Sequence, residues 1–400
     1  MGGNVTATNK KTGQNIKADK IDLVKADRQE FIKKFTAAFK KINSLYIKKY
    51  KTPLWTKEAR LDTNELYNGS TSYIFDQSIS DAELLKYKKS AGDLDIIVPE
   101  ESKENLWNLL DSLEGKEIVP GIEYHGNNKL TISSIGEQIN CLFIAEFGDY
   151  KALAQVDFEF LEVDEEGKPN EMAKFGHSST FEDAKNQVKA VHHKYLIRAM
   201  SGSLDVRENI GIIGKSGKIS TAKGADVARM LKFNLNKGIS IAYERVLDDN
   251  GEPLVQDGKD IYREIPTSDR SYAATVREMV KLCFKVDPED VDEKLFWSFI
   301  GILNLLKKYV KDKKTIKNIH DRYIELLFGI KGQKGQVLEV GNKELDYQVK
   351  ISGYSRFCKE LGVKPDLKTV EAYYAEFENL RGGKLRESFR DLLESYNKGK

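Results

Sequence analysis

At 400 residues, with 40% hydrophobic and 32% charged side chains, the chain has material for two or three folded domains and a large core, which excludes a fibrous or wholly disordered protein. Its 64 basic and 62 acidic residues leave a formal charge of +2, so attraction to a polyanion has to come from local patches. Cys141, Cys283 and Cys358 are too far apart for a Cys-x-x-Cys zinc site and suggest neither a disulfide framework nor a disulfide-linked partner, so the cytoplasm is the expected setting.

Residues 1–20, rich in Asn, Lys, Thr and Gly, read as a flexible tail. A long helix follows, capped by Asp27, with Phe31, Phe35, Phe39, Ile42 and Tyr46 on one face and lysines 33, 34, 40, 41, 48 and 49 on the other. A turn at Asn68-Gly69-Ser70-Thr71-Ser72 leads into a short apolar piece, and residues 81–89 form a charged helix. The spacing then predicts a strand over 93–98, an amphipathic helix over 100–113, and strands within 118–163 that include 130–135 and 138–145. On the strand 152–163, Ala154, Val156, Phe158 and Phe160 face one way and Gln155, Asp157 and Glu159 the other. Residues 181–200 read as one helix. Residues 202–224 are rich in Gly, Lys and Ser, and a hairpin is expected around Asp248-Asp249-Asn250-Gly251. From 271 the pattern is helical, over 272–285, 290–311, 313–328, 354–361, 368–380 and 384–396. The apolar run 295–306 is too short to span a bilayer, so no membrane partner is expected.

The chemistry concentrates in Gly92-Asp93-Leu94-Asp95-Ile96-Ile97-Val98. On a strand, Asp93 and Asp95 share a face while Leu94 and Ile96 enter the core. Adjacent carboxylates repel unless a cation or proton lies between them. A third carboxylate, Asp157, stands on another strand with the same alternation; Glu159 shares its face and Asp164 is nearby in sequence. Three converging carboxylates suit two magnesium (or manganese) ions, which would hold a nucleotide's phosphates. Gly69 and Ser70, followed by Thr71 and Ser72, offer backbone N–H groups and hydroxyls at a turn, the donors that a phosphate needs.

Gly69-Ser70, Asp93-x-Asp95 on a strand and a later lone Asp157 resemble the DNA polymerase beta-like nucleotidyltransferase superfamily, over residues 30–200. The 22 residues from 71 to 92 make a longer gap than the family pattern has, and the helix at 81–89 would fill it. The resemblance implies that Gly69 and Ser70 position a nucleoside triphosphate such as ATP, while Asp93, Asp95 and Asp157 bind the metals, Asp157 also serving as base. It implies a nucleotidyltransferase-like mixed-sheet head over 21–200; the composition shift near 202 and the helical pattern from 271 add a basic Gly-rich and β-hairpin connector over 201–270 and an α-helical domain over 271–400, an α+β fold as a whole. The expected activity moves a nucleoside monophosphate from the triphosphate to an acceptor hydroxyl, first of all an RNA or tRNA 3′ end. Transfer to a protein or small molecule, as in toxin-like members, and a non-catalytic protein that kept the fold are the other readings.

Three further features are weaker. Gly211-Ile212-Ile213-Gly214-Lys215-Ser216 has the outline of a phosphate-binding loop, but Asn209 stands where the pattern requires glycine. Lys215, Lys218 and Lys223 leave phosphate contact open there. His192 and His193 are adjacent on a helix and so face different ways, which favours separate hydrogen bonds over joint metal binding. Aromatic and basic residues interleave in the helical tail, among them Tyr309, Lys311, Lys317, Arg322, Tyr323, Tyr354 and Arg356, a mixture that serves either a core or a nucleic acid.

Overall fold

The computed structural model describes residues 6–8, 15–127, 138–165, 167–214, 216–220, 227–328, 343–366 and 368, and the chain divides into two compact units, Met1–Lys185 and Asn186–Lys400. Both mix helix and strand. The expected strand at 130–135, all but residue 368 of the helix expected over 368–380, the helix expected over 384–396, and Lys215 and Lys223 lie outside the described residues.

In the first unit, β1 (Thr6–Thr8) pairs with β2 (Asn15–Lys17), and β3 (Ile21–Asp22) with β4 (Ser90–Ala91). Helix α1 (Arg28–Tyr50) starts where the Asp27 carboxylate accepts the N–H groups of Gln29 and Glu30. Two short helices follow, α2 (Gly69–Ile74) and α3 (Asp81–Tyr87), the latter within the long gap between Ser70 and Asp93. Strand β5 (Leu94–Pro99) leads through a single 3₁₀ turn into α4 (Lys103–Asp111), and then come β6 (Lys116–Val119), β7 (Ile122–Asn127), β8 (Gln138–Phe147) and β9 (Tyr150–Leu161). The five strands form one mixed sheet in the order β5-β9-β8-β7-β6, in which only β5 and β9 run parallel. A parallel pair needs a crossover, and the α4-to-β8 segment supplies it.

Period-two alternation divides the sheet chemically. Leu94, Ile96 and Val98 of β5, Ile139, Cys141 and Phe143 of β8, and Val156, Phe158 and Phe160 of β9 are buried in one cluster with Phe31, Phe35, Phe39 and Ile42 of α1. Phe39 meets Phe158 edge-on, with ring centroids 6.1 Å apart. Burial of side chains this size stabilises by roughly 1.5–3 kcal/mol each, enough to fix the register of β5 and β9. The other face of the same strands carries Asp95, Asn140, Gln155, Asp157 and Glu159. On that face the polar group is flanked by small apolar clusters, Ile97 with Leu161 and Leu142 with Ala18.

Short helices α5 (Glu171–Gly176) and α6 (Phe181–Lys185) close the first unit. The helix expected over 181–200 is broken: Gln187 takes a left-handed φ of +58°, and a separate helix, α7 (Ala190–Leu204), begins the second unit. The division falls at 185/186 rather than 200, and within the second unit α7 packs along helix α10 and strand β14.

The second unit holds short strands: β10 (Val206–Glu208) with β13 (Val227–Arg229), β14 (Leu231–Asn234) with β15 (Gly238–Ile241), and a small sheet of β11 (Gly211–Ile213), β12 (Ile219–Ser220), β16 (Tyr243–Arg245), β17 (Val255–Gln256) and β18 (Lys259–Glu264). Helices α8 (Val276–Phe284), α9 (Phe299–Tyr309), α10 (Lys313–Phe328) and α11 (Lys343–Leu361) follow. Among the described residues no helix is long and apolar enough to cross a membrane.

Candidate metal centre

Asp93, Asp95 and Asp157 come together. Each offers a carboxylate oxygen, and these oxygens lie within 4.8 Å of one another. The register of the parallel pair places Asp95 directly opposite Asp157 and Ile97 opposite Glu159. Asp93 sits one residue before β5 rather than on it, at the mouth of the strand. Two like charges at this separation repel by about 3–4 kcal/mol at an effective dielectric of about 20, so the trio resists full ionisation on its own.

Burial raises all three carboxyls. It pushes Asp95 well above the ordinary carboxylate range, and the neighbouring charges of Asp93, Glu159 and Asp157 push the same way. Asp93 is raised by burial and by Glu159, with Lys88 opposing. Asp157 is pushed up to about 7 by burial, although two hydrogen bonds oppose the rise. Asn140 Nδ2 donates to Asp157 Oδ1 at 2.8 Å, and Gln155 Nε2 lies 2.9 and 3.0 Å from Oδ1 and Oδ2. Such donors fix the orientation of a carboxylate that is expected to bind something else.

The residues before β5 lie along its open edge. Tyr67 bridges to Ile96, and the Asn68 N–H donates to the Asp95 carbonyl at 3.1 Å. Gly69 has a left-handed φ of +54°, and a Cβ added to it would land on Asp95 Oδ2. Glycine is needed here twice over, for the backbone conformation and for the close approach to the carboxylate. Gly69→Ala is therefore expected to lose roughly 1–3 kcal/mol of stability through strain. It should also displace Asp95, at a cost of about a hundredfold in any reaction the cluster supports. Denaturant melts and turnover assays on the same preparation would measure both, and a variant with unchanged turnover would contradict this role of Gly69.

Two of the residues expected to contact phosphate have other duties. Thr71 is fully buried; its hydroxyl accepts the Asp95 N–H at 2.9 Å and donates to the Asp93 carbonyl at 3.3 Å. It straps α2 to the start of β5. Ser72 Oγ lies 3.0 Å from the Gly69 carbonyl and 3.3 Å from that of Ser179. Ser70 is half-buried. Tyr73, pushed up to about 12 by burial, keeps its hydroxyl protonated beside Ser70 and Asp93.

Sequence reasoning did not single out Asn68, Asn140 or Lys174. Asn68 Nδ2 donates to Glu159 Oε2 at 2.6 Å, and His177 Nδ1 approaches the other Glu159 oxygen at 4.0 Å. Lys174 Nζ donates to the carbonyls of Asn64 and Glu65 at 3.0 and 2.7 Å, holding the turn that leads to Asn68. The alternation on β9 already placed Gln155 and Glu159 on the acidic face. The partners from other elements required the strand order, which local spacing does not encode.

The secondary candidates resolve simply. His192 Nδ1 lies 2.5 Å from the Tyr323 hydroxyl, and His193 Nε2 lies 3.0 Å from the Phe296 carbonyl. Both are buried inside the second unit and point to different partners, and burial pushes His193 down to about 4. Neither belongs to the acidic cluster. Gly211–Ile213 forms a strand paired with β12 and β18, not the glycine-rich connection from strand to helix that cradles phosphate. Tyr323, Tyr354 and Phe357 of the tail are core residues.

No family model, curated protein or solved structure matches this chain. The functional reading therefore rests on the geometry of these side chains and on the motif resemblance.

Proposed function

We propose that the first unit is a metal-dependent nucleotidyltransferase of the polymerase beta-like kind, moving a nucleoside monophosphate from a nucleoside triphosphate to an acceptor hydroxyl. One observation carries the reading: Asp93 and part-buried Asp95 at the start of β5 and buried Asp157 within the adjacent parallel strand β9 converge beside a left-handed Gly69 that permits a backbone to approach them. The donor set fits the implied ion, because hard carboxylate oxygens suit magnesium or manganese. A bound pair of such ions would neutralise triphosphate charge and make the acceptor hydroxyl more acidic.

The chain's own groups have distinct tasks. Asp93, just before β5, and Asp95, on it, supply negative charge at the mouth of the strand. Gly69 and Ser70 offer a backbone N–H and a hydroxyl toward the terminal phosphates. Asp157, held by Asn140 and Gln155, takes the acceptor proton on a carboxylate oxygen. In the overall change the acceptor oxygen bonds to the α-phosphorus, the α–β phosphoanhydride bond breaks, pyrophosphate leaves, and the proton passes to Asp157.

An RNA or tRNA 3′ hydroxyl is the first acceptor to test. Incubation with each α-labelled triphosphate, magnesium or manganese, and mixed cellular RNA should give metal-dependent label in RNA. Label in protein or in a small molecule would redirect the acceptor. Absence of both label and pyrophosphate release with all four triphosphates would overturn the reading.

A further inference from the structure

Asn68 carries an anomaly that the three aspartates do not explain. It occupies the N-cap position of α2, where an asparagine side chain ordinarily accepts an N–H of the first turn, yet it makes no such bond. Its side chain is 2% exposed, and Oδ1 has no hydrogen-bond partner although it is sealed from solvent. A buried acceptor left unmatched costs on the order of 1–3 kcal/mol, so it marks either wasted stability or a ligand position.

The topology fixes where this carboxamide lies. Residues 67–69 run along the outer edge of β5, and β9 lies beyond β5. Asn68 nevertheless donates from Nδ2 to Glu159 on β9. To make that bond its side chain must cross over β5, on the face that carries Asp95, because Glu159 shares the face of Asp157. The carboxylate can only accept, so the amide presents nitrogen to Glu159 and leaves its oxygen without a protein partner. That oxygen is a hard, neutral donor atom of the kind that completes carboxylate cation sites.

We propose that Asn68 is a cation ligand: its Oδ1 joins Asp93, Asp95 and Asp157 around a divalent ion, and Glu159 is the positioning residue that orients the carboxamide. The inference rests on the metal centre of the proposed function and extends it to two residues outside the aspartate trio. Glu159 acts through a hydrogen bond rather than through its charge. A glutamine at 159 can accept the same bond, whereas an alanine cannot.

The test is binding of Mn²⁺ alone, followed by electron paramagnetic resonance on the full chain without nucleotide. Thermal melts in chelator establish that each variant is folded. Asn68→Ala should weaken Mn²⁺ binding about tenfold. Glu159→Ala should weaken it to a similar degree, and combining the two should add little. Glu159→Gln should stay within about twofold of the parent protein. Wild-type affinity in both Asn68→Ala and Glu159→Ala would overturn the proposal, and a tenfold loss in Glu159→Gln would overturn the positioning role by making the Glu159 charge itself a ligand. Asp95→Asn separates the two levels of inference. If it abolishes binding while Asn68→Ala does not, the metal centre stands and this proposal falls. If Asp95→Asn binds Mn²⁺ like the parent, the metal centre falls and takes the proposal with it.

Discussion

Asp95→Asn is expected to lower nucleotidyl transfer by at least about a thousandfold, which corresponds to about 4 kcal/mol of lost stabilisation in the transition state. The side chain keeps its size, so the close approach of Gly69 is preserved while one negative charge disappears from the centre of the cluster. The same substitution should raise the melting temperature in chelator. Asp95 is held far above its ordinary range by burial and by three like-charged neighbours, so ionising it at neutral pH destabilises the metal-free fold. Opposite signs for activity and stability distinguish a functional charge from a structural one. Transfer assays and thermal melts on the same preparation would show it. Unchanged transfer, or a variant less stable than the parent in chelator, would refute the assignment.

How much of this centre could be read in the sequence depends on which forces are local. Asp93, Asp95 and Asp157 were accessible because period two is a local property, and the apolar partners Leu94, Ile96, Val156 and Phe158 leave the carboxylates no other face. The order β5-β9-β8 is not local: it depends on a crossover packed against α1, and only that order brings Asp95 opposite Asp157 and Asn140 onto Asp157. Thr71 makes contacts that local spacing does not encode. A hydroxyl in a glycine–serine turn suggests a phosphate donor, but the turn approaches β5 so closely that the backbone groups of Asp93 and Asp95 claim that hydroxyl. The charged helix expected over 81–89 fills the long gap before Asp93 as Asp81–Tyr87, and Ser80 Oγ accepts the Glu83 N–H at its start. The break at Gln187 was not legible, since a left-handed glutamine has no marker in the sequence and the pattern on either side is helical. That break matters most for organisation, because it moves His192 and His193 out of the first unit.

The pH dependence of stability should change sign with metal. Raised carboxyls bind protons more tightly in the folded chain than in the unfolded one. Their contribution is therefore fully favourable below the ordinary aspartate value near 3.8, and it is lost as pH rises through about 7, where Asp157 finally ionises in the folded chain. For Asp157 alone the loss is on the order of 4 kcal/mol. Buried His193, pushed down to about 4, works in the opposite direction, so the quantity to follow is the difference in melting temperature between the parent and Asp157→Asn. In chelator the variant should gain on the parent steadily between pH 5 and pH 8. Excess magnesium should reverse this: binding to the folded state alone adds about 2.7 kcal/mol at a hundred times the dissociation constant, and only the ionised cluster binds. Magnesium should accordingly stabilise the parent strongly at pH 8, weakly at pH 5, and the variant little at either. A parent protein whose melting temperature ignores magnesium at pH 8 would show that these carboxylates meet for some purpose other than holding a cation.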